Sequence, residues 1–362
     1  MFKSLGIACA VLAATTTTGT VAAPCPHAVA AAANNDAVWS YPGSAYELTD
    51  ANRSPAPAPV TPDVEIARAM GDSIPYPFTR ELAHGDEGND VYVLQNLLAR
   101  FTNVPTPDGK FGTLTAAAVK LFQVMHSSTL TPTGKLDFAT ARIVLSVLSL
   151  DDWRDDRKNA AAPAGWKYKV WVPQPARRAQ EVRALLLDAN HKILHSFQVR
   201  LHGHSTVGKE DWPTFDSEPG LNAFTSNGNT PSGLARIDLN EAFAPEYQHL
   251  YGPYPVNRIV EGLEGNMGFL VPRVRNGILI HTGAWSNATG WNEAFDMPNS
   301  AGCIHVHPAD AAKIAEILIS IGVQVRPNHG GKVPYPYEPQ GVLAVEEYGE
   351  KLFVKSAYRY RN

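Results

Sequence analysis

The segment PDGKFGTLTA begins at Pro107 and PTGKLDFATA at Pro132, so one pattern recurs at a shift of 25 residues. Gly109 and Gly134, Lys110 and Lys135, Phe111 and Leu136, Thr115 and Thr140, and Ala116 and Ala141 coincide. Each copy reads as a glycine turn, one apolar plug and a helix opening near a Thr or Asp cap. Helical spacing of apolar residues gives three helices, through Val91, Leu94, Leu98 and Phe101, through Val119 and Phe122, and through Ala141, Val144, Leu145 and Leu148. A small three-helix domain around one core is predicted for residues 80–150.

The rest of the 362 residues divides by composition. Residues 1–23 read as a secretory signal peptide: Lys3 is the positive start, LGIACAVLAA is too short to span a bilayer, and Ala22 and Ala23 fit a cleavage site. Residues 24–79 include SPAPAPVTP and have the composition of a weakly ordered Pro/Ala-rich linker. A second linker is expected at 151–165, a β-rich domain at 166–328 and a tail of unassigned role at 329–362. The hydrophobic fraction of 44% allows a sizeable core. The net charge of −4 lacks the basic excess of a nucleic-acid binder. With signal cleavage the chain is expected to be secreted, periplasmic or extracellular, with no membrane span. Two sequons, at Asn52 and Asn287, matter only in a host that glycosylates secreted proteins.

Strand candidates in the β-rich domain are WKYKVWV, EVRALLLD, ILHSFQVR, NRIV, GFLV and GILIH. They are short and separated by Gly, Pro and Asn turns, which predicts a mainly antiparallel sheet and an α+β chain overall. NTPSG at 229–233 is a turn, with Pro231 and Gly233 at the positions that suit them. One helix is predicted after Pro308, with Asp310 in its first turn, Ile314, Ile317, Leu318 and Ile321 on one face, and Gly322 as its stop.

The chemistry gathers at two places. GILIHTG closes an apolar strand with His281 and Thr282, and 18 residues separate His281 from Ser300, which opens SAGCIHV. Of the three cysteines, Cys9 leaves with the signal, so Cys303 has only Cys25, in the linker, as a possible partner; left unpaired it is a lone thiol deep in a secreted sequence, either a nucleophile or a buried inert cysteine. Cysteine chemistry uses a thiolate, and a nearby imidazole can take the proton. The small residues of Ala301-Gly302-Cys303 let backbone N–H groups approach a developing oxyanion.

Two resemblances follow. HGDEGNDVYVLQNLLARF, DGKFGTLTAAAVKLFQ and TGKLDFATARIVLSVL together resemble the peptidoglycan-binding module found on many wall enzymes. TPSG, IHTG and SAGCIHV, in that order, resemble the catalytic domain of the L,D-transpeptidases, cysteine acyltransferases that cross-link peptidoglycan. The second resemblance implies Cys303 as nucleophile and His281 as general base, with Ser300 and Gly302 completing the signature. Ala301 stands where many members have His, and His305 where they have Asn or Arg. It further implies ping-pong acyl transfer on stem peptides without a metal or other cofactor, and acylation of the cysteine by carbapenem β-lactams. Peptidoglycan stem peptides and glycan are the implied partners. Three alternatives stand beside this reading. Water as acceptor would make an L,D-carboxypeptidase. The pairs His202/His204 and His305/His307, each two apart as on one face of a strand, could hold zinc in a wall peptidase. A wall-binding protein with an inactive enzyme domain is the third.

Overall fold

The computed structural model describes residues 77–78, 80–102, 107–149, 151–175, 181–201, 203, 206–207, 210–211, 223–224, 228–283, 297–330 and 334–348. The signal-like start, the linker up to residue 76, His202, His204 and both sequons lie outside the described residues.

The repeat folds as three helices, α1 Asn89–Leu98, α2 Thr113–Met125 and α3 Phe138–Leu148. Their apolar stripes meet, with Leu94, Leu98, Val119, Phe122 and Val144 fully buried. The plugs Phe111 and Leu136 are buried too, and Leu82 and Leu136 exchange backbone hydrogen bonds of 3.1 and 2.8 Å. Asp137 caps α3 by accepting from the Thr140 N–H. One buried glutamine per copy explains why the glycine turns recur. Gln95 Oε1 accepts from the N–H groups of Asp108 and Gly109, while its Nε2 donates to Lys110 O and Thr115 Oγ1. Gln123 repeats this on the second turn, accepting from Gly134 N–H and donating to Lys135 O and Thr140 Oγ1. Gly109 and Gly134 sit at φ 77° and 75°, where a side chain would be strained. Gln123→Leu would keep the volume but leave those buried groups without a partner, each at about 1–3 kcal/mol. The expected result is a three-helix domain destabilised by at least about 2 kcal/mol, read in a urea melt of the full chain.

The β-rich part is a closed barrel. Its strands are β1 Tyr168–Pro175, β2 Val182–Asp188, β3 Ile193–Arg200, β6 Gly233–Asn240, β7 Val256–Glu264, β8 Leu279–His281, β9 Ile304–Val306 and β10 Gly341–Tyr348. A separate two-stranded ribbon holds β4 Thr206–Val207 and β5 Glu210–Asp211. Around the barrel the order is β1-β10-β6-β7-β8-β9-β3-β2. Mixed helices and strands are as expected, but the sheet is not simply antiparallel: the β1–β10 and β8–β9 seams run parallel. The chain beyond residue 328, expected as a tail, contains β10 and closes the barrel between β1 and β6. GFLV, expected as a strand, lies largely in a short helix, α5 Gly265–Leu270, preceded by the short α4 Gln248–Tyr251. The predicted final helix is α6 Pro308–Ser320, and the chain turns at Gly322, φ 83°. Its buried face carries Ala311, Ile314, Ala315 and Leu318, whereas Ile321 is exposed past the helix end.

Every residue of β1 is buried, so both its faces need cover. Tyr168, Val170 and Val172 join the main core, while Trp171 packs outside with Leu185, Leu187, Leu234, Val342 and Ala344. The 151–165 stretch, with a composition that suggests a linker, lies over that outer face through Trp153 and Ala162. Lys169, buried by this cover, is paired with Asp155 and donates to Asn159 Oδ1 at 2.9 Å. A buried ammonium of this kind is tolerated only when paired and hydrogen-bonded.

The helical module docks on the barrel through a polar node. Asn266 Oδ1 accepts from Arg100 at 2.8 Å, Asn266 Nδ2 donates to Ser149 O at 3.0 Å, and Asp151 accepts from Ser232 Oγ and Asn266 N–H, both at 2.8 Å. Beside it the Arg273 guanidinium lies 3.9 Å from the centre of the Tyr92 ring.

Candidate active site

The strand β8, entered from Ile278, runs through Leu279 and Ile280 and ends in His281, and all four residues are buried. Its parallel neighbour β9 pairs Ile280 with Ile304 and His281 with His305. Parallel neighbours need a crossover of a dozen or more residues, which accounts for the long spacer between IHTG and SAGC. Side chains alternate along a strand, so His281 and His305 share a face, and Cys303, two residues before His305, belongs to that face. The two imidazoles meet edge to face with centroids 4.9 Å apart. Tyr251 also meets His281 edge to face, with centroids 5.2 Å apart.

Hydrogen bonds fix both imidazole rings. His281 Nδ1–H donates to Thr282 O at 2.7 Å, so in the neutral ring Nε2 is the basic nitrogen. His305 Nδ1–H donates to Pro298 O at 2.8 Å. Burial pushes His281 down to about 4, against a smaller upward pull from Thr282 O. Burial, and then the neighbouring His281, hold His305 well below the ordinary imidazole range. Both rings are therefore neutral at pH 7.

Cys303 is a free, half-buried thiol packed beside Tyr251, Val256 and Leu279, with Phe243, Tyr247 and Leu250 around them. Its Sγ lies 3.8 Å from Gly277 O. Burial pushes the thiol up to about 11, opposed by the Leu279 N–H, Arg258 and Arg275. At rest the two groups are thus a thiol and a neutral imidazole.

Three groups shape the turn that presents Cys303. Ser300 Oγ accepts from Gly302 N–H at 3.0 Å and donates to Cys303 O at 2.7 Å, closing the turn on itself. Thr230, in NTPSG, donates from Oγ1 to Gly302 O at 2.9 Å. Gly302 has φ 104°, and a Cβ there would fall 2.1 Å from Arg275 Nη2 and 3.2 Å from Gly228 O. Since the Gly302 N–H is held by Ser300, that amide is committed to the turn rather than turned toward a substrate oxygen. Ala301 is exposed. Thr282 is buried and its Oγ1 has no hydrogen-bond partner among the described residues, while its Cγ2 would meet any Cβ placed on Gly252 at 2.5 Å.

The structure thus brings His281, Thr282, Ser300, Gly302, Cys303 and His305 to one end of the β8–β9 seam. Thr230, Tyr251, Arg258 and Arg275 were not legible as site residues. Of these only Thr230 carried a signal, its place in TPSG. Among the described residues no group of three or more His, Cys, Asp or Glu side chains is arranged to hold a metal ion. No helix among them is long and apolar enough to cross a membrane.

Residues 87–144 match the family model of a putative peptidoglycan binding domain, and residues 182–326 match that of the L,D-transpeptidase catalytic domain. No curated protein matches the chain. Three solved structures resemble it over 74% of its length. One is a fused Zn-dependent amidase/peptidase/peptidoglycan-binding domain-containing protein from Clostridium acetobutylicum ATCC 824, at 15% identity, 99% of that chain and a TM-score of 0.22. The others are L,D-transpeptidases from Xylanimonas cellulosilytica DSM 15894, at 14% identity, 98% of that chain and TM-score 0.24, and from Stackebrandtia nassauensis, at 15%, 96% and 0.24. Superpositions at these scores carry no argument about the site.

Proposed function

With residues 182–326 recognised as an L,D-transpeptidase catalytic domain and residues 87–144 as a peptidoglycan-binding domain, we propose that this chain is a secreted, wall-associated cysteine acyltransferase that forms L,D cross-links between stem peptides. The observation that supports this reading is the parallel pairing of His281 with His305, two residues after Cys303, with Nδ1–H of His281 already donated to Thr282 O.

In this mechanism Cys303 Sγ attacks the carbonyl of the third residue of a tetrapeptide stem as His281 Nε2 takes the thiol proton. The C–N bond to the terminal D-alanine breaks, its nitrogen takes that proton back from His281, and a thioester remains on Cys303. A side-chain amine of a second stem attacks the thioester carbonyl and gives a proton to His281. The C–S bond breaks, the sulfur is reprotonated, and the new amide is the cross-link. Ser300 and Thr230 hold the turn, Gly302 makes room for it, and His305 packs against the base to fix its ring plane. The helical module holds the domain on glycan or stem peptides.

Incubating the purified chain with a disaccharide tetrapeptide and weighing the products tests this. A cross-linked dimer with release of D-alanine is expected. Tripeptide alone would replace the acyltransferase by a carboxypeptidase that uses water as acceptor, and unchanged substrate would remove the proposed activity.

A further inference from the structure

We propose that Arg275 is a positioning residue of this site, clamping the Gly228–Asn229 turn to the Cys303 turn and fixing one positive charge behind the thiol. The inference rests on Cys303 being the reactive group.

Arg275 lies between α5 and β8, and its side chain is buried. One guanidinium serves carbonyls from three stretches of chain. Nη1 donates to Ala223 O at 2.6 Å and to Asn229 O at 3.2 Å, and Nη2 donates to Gly228 O at 2.9 Å and to Ala301 O at 3.4 Å. Buried carbonyls need donors, and the planar five-donor fork of arginine can supply several at fixed angles where a lysine cannot. Asn229 continues the same turn, its Oδ1 accepting from Gly203 N–H at 2.7 Å, and Gly203 bridges to Ser300. Thr230, next in sequence, holds Gly302 O. The guanidinium thus ties Ala223, the Gly228–Asn229 turn and Ala301 to one buried point. It also explains the motif glycine, because Nη2 occupies the space that a Cβ on residue 302 would need.

The charge has a second consequence. Among the described residues the other titratable groups around the thiol are Arg258 on β7, Tyr247 just before α4, Tyr251 on α4, His281 on β8 and His305 on β9. Both imidazoles are neutral at pH 7, and burial raises Tyr251 further above the ordinary phenol range, so it stays protonated. Arg258 is held elsewhere, donating to Asn240 Oδ1 at 2.9 Å and Asn328 Oδ1 at 2.8 Å. Arg258 and then Arg275 both favour the thiolate against the burial that opposes it, and of these two Arg275 is the one hydrogen-bonded to the Cys303 turn, through Ala301 O.

Two rates separate clamp from charge. Alkylation of Cys303 by iodoacetamide in a His281→Ala background, where no imidazole takes the proton, followed by peptide mass between pH 7 and 9, reads the thiolate fraction and needs no wall substrate. Acylation by a carbapenem reads the geometry of the turn. Arg275→Met is expected to slow alkylation several-fold at each pH, because the thiolate loses one of its two neighbouring cations. Simple loosening of the fold would do the opposite, because a better-hydrated thiol ionises more easily. Arg275→Lys keeps the charge but cannot reach the carbonyls, so alkylation should stay within about threefold of the Arg275 parent while acylation falls at least about tenfold. Unchanged or faster alkylation in Arg275→Met, or wild-type acylation in Arg275→Lys, would overturn the proposal. If Arg275→Met does not fold, the two rates of Arg275→Lys decide. If the wild type neither acylates nor cross-links, the activity proposed above fails, and alkylation still tests the charge behind the thiol.

Discussion

Cys303→Ser is expected to abolish cross-linking of a tetrapeptide substrate, with loss of at least about a thousandfold, while wall binding and the melting transition stay as in wild type. The substitution changes one atom on a half-buried side chain whose turn is held by Ser300, Thr230 and Gly302, not by the sulfur. Geometry is therefore preserved and only the nucleophile is weakened. A hydroxyl is far less acidic than a thiol, and in this buried setting even the thiol is pushed up to about 11. His281, held down to about 4, is too weak a base to activate a hydroxyl to the same extent. Product analysis of the two proteins side by side checks this. Comparable cross-linking by Cys303→Ser would remove the thiol from the chemistry.

His281→Ala should slow acylation by about two to four powers of ten, the usual worth of a positioned proton acceptor. The pH dependence carries the stronger signature. In wild type the imidazole loses its lone pair as pH falls through about 4, and the thiol ionises unaided only as pH rises through about 11. Between these limits the acylation rate should be nearly flat. Without His281 the reaction must use the small fraction of pre-formed thiolate, so the rate of the variant should climb about tenfold per pH unit through the neutral range. Carbapenem acylation followed by intact mass isolates this half-reaction from protonation of an acceptor amine. A variant with a flat profile at the wild-type rate would show that another group takes the proton.

Much of this site could be read from the residues alone. His281 stands out because a polar side chain ends an otherwise apolar strand. Cys303 stands out because a lone thiol follows two small residues. The helical module was legible from its 25-residue repeat, since each copy must rebuild the same turn around the same buried glutamine. Arg275 was not legible: an arginine in VPRVRNG reads as a surface charge, and only the fold brings four carbonyls to it from distant stretches. Thr230 was visible as part of a turn, but its hydrogen bond to Gly302 spans 72 residues. Strand β10 was missed because GVLAVEEY follows a Pro- and Tyr-rich stretch that suggests a tail, and because its pairing with β1 is parallel and joins the two ends of the barrel. GFLV is apolar like a strand but too short to separate from one turn of helix by periodicity.

The most direct test of the whole account is the mass of the enzyme during turnover. Quenched in acid within the first turnovers on tetrapeptide, the wild-type chain should carry a tripeptidyl adduct. Peptide mapping should place that adduct on Cys303, and it should discharge when an acceptor amine is added. An adduct on any other residue, or cross-linked product accumulating with Cys303 unmodified throughout, would contradict the account.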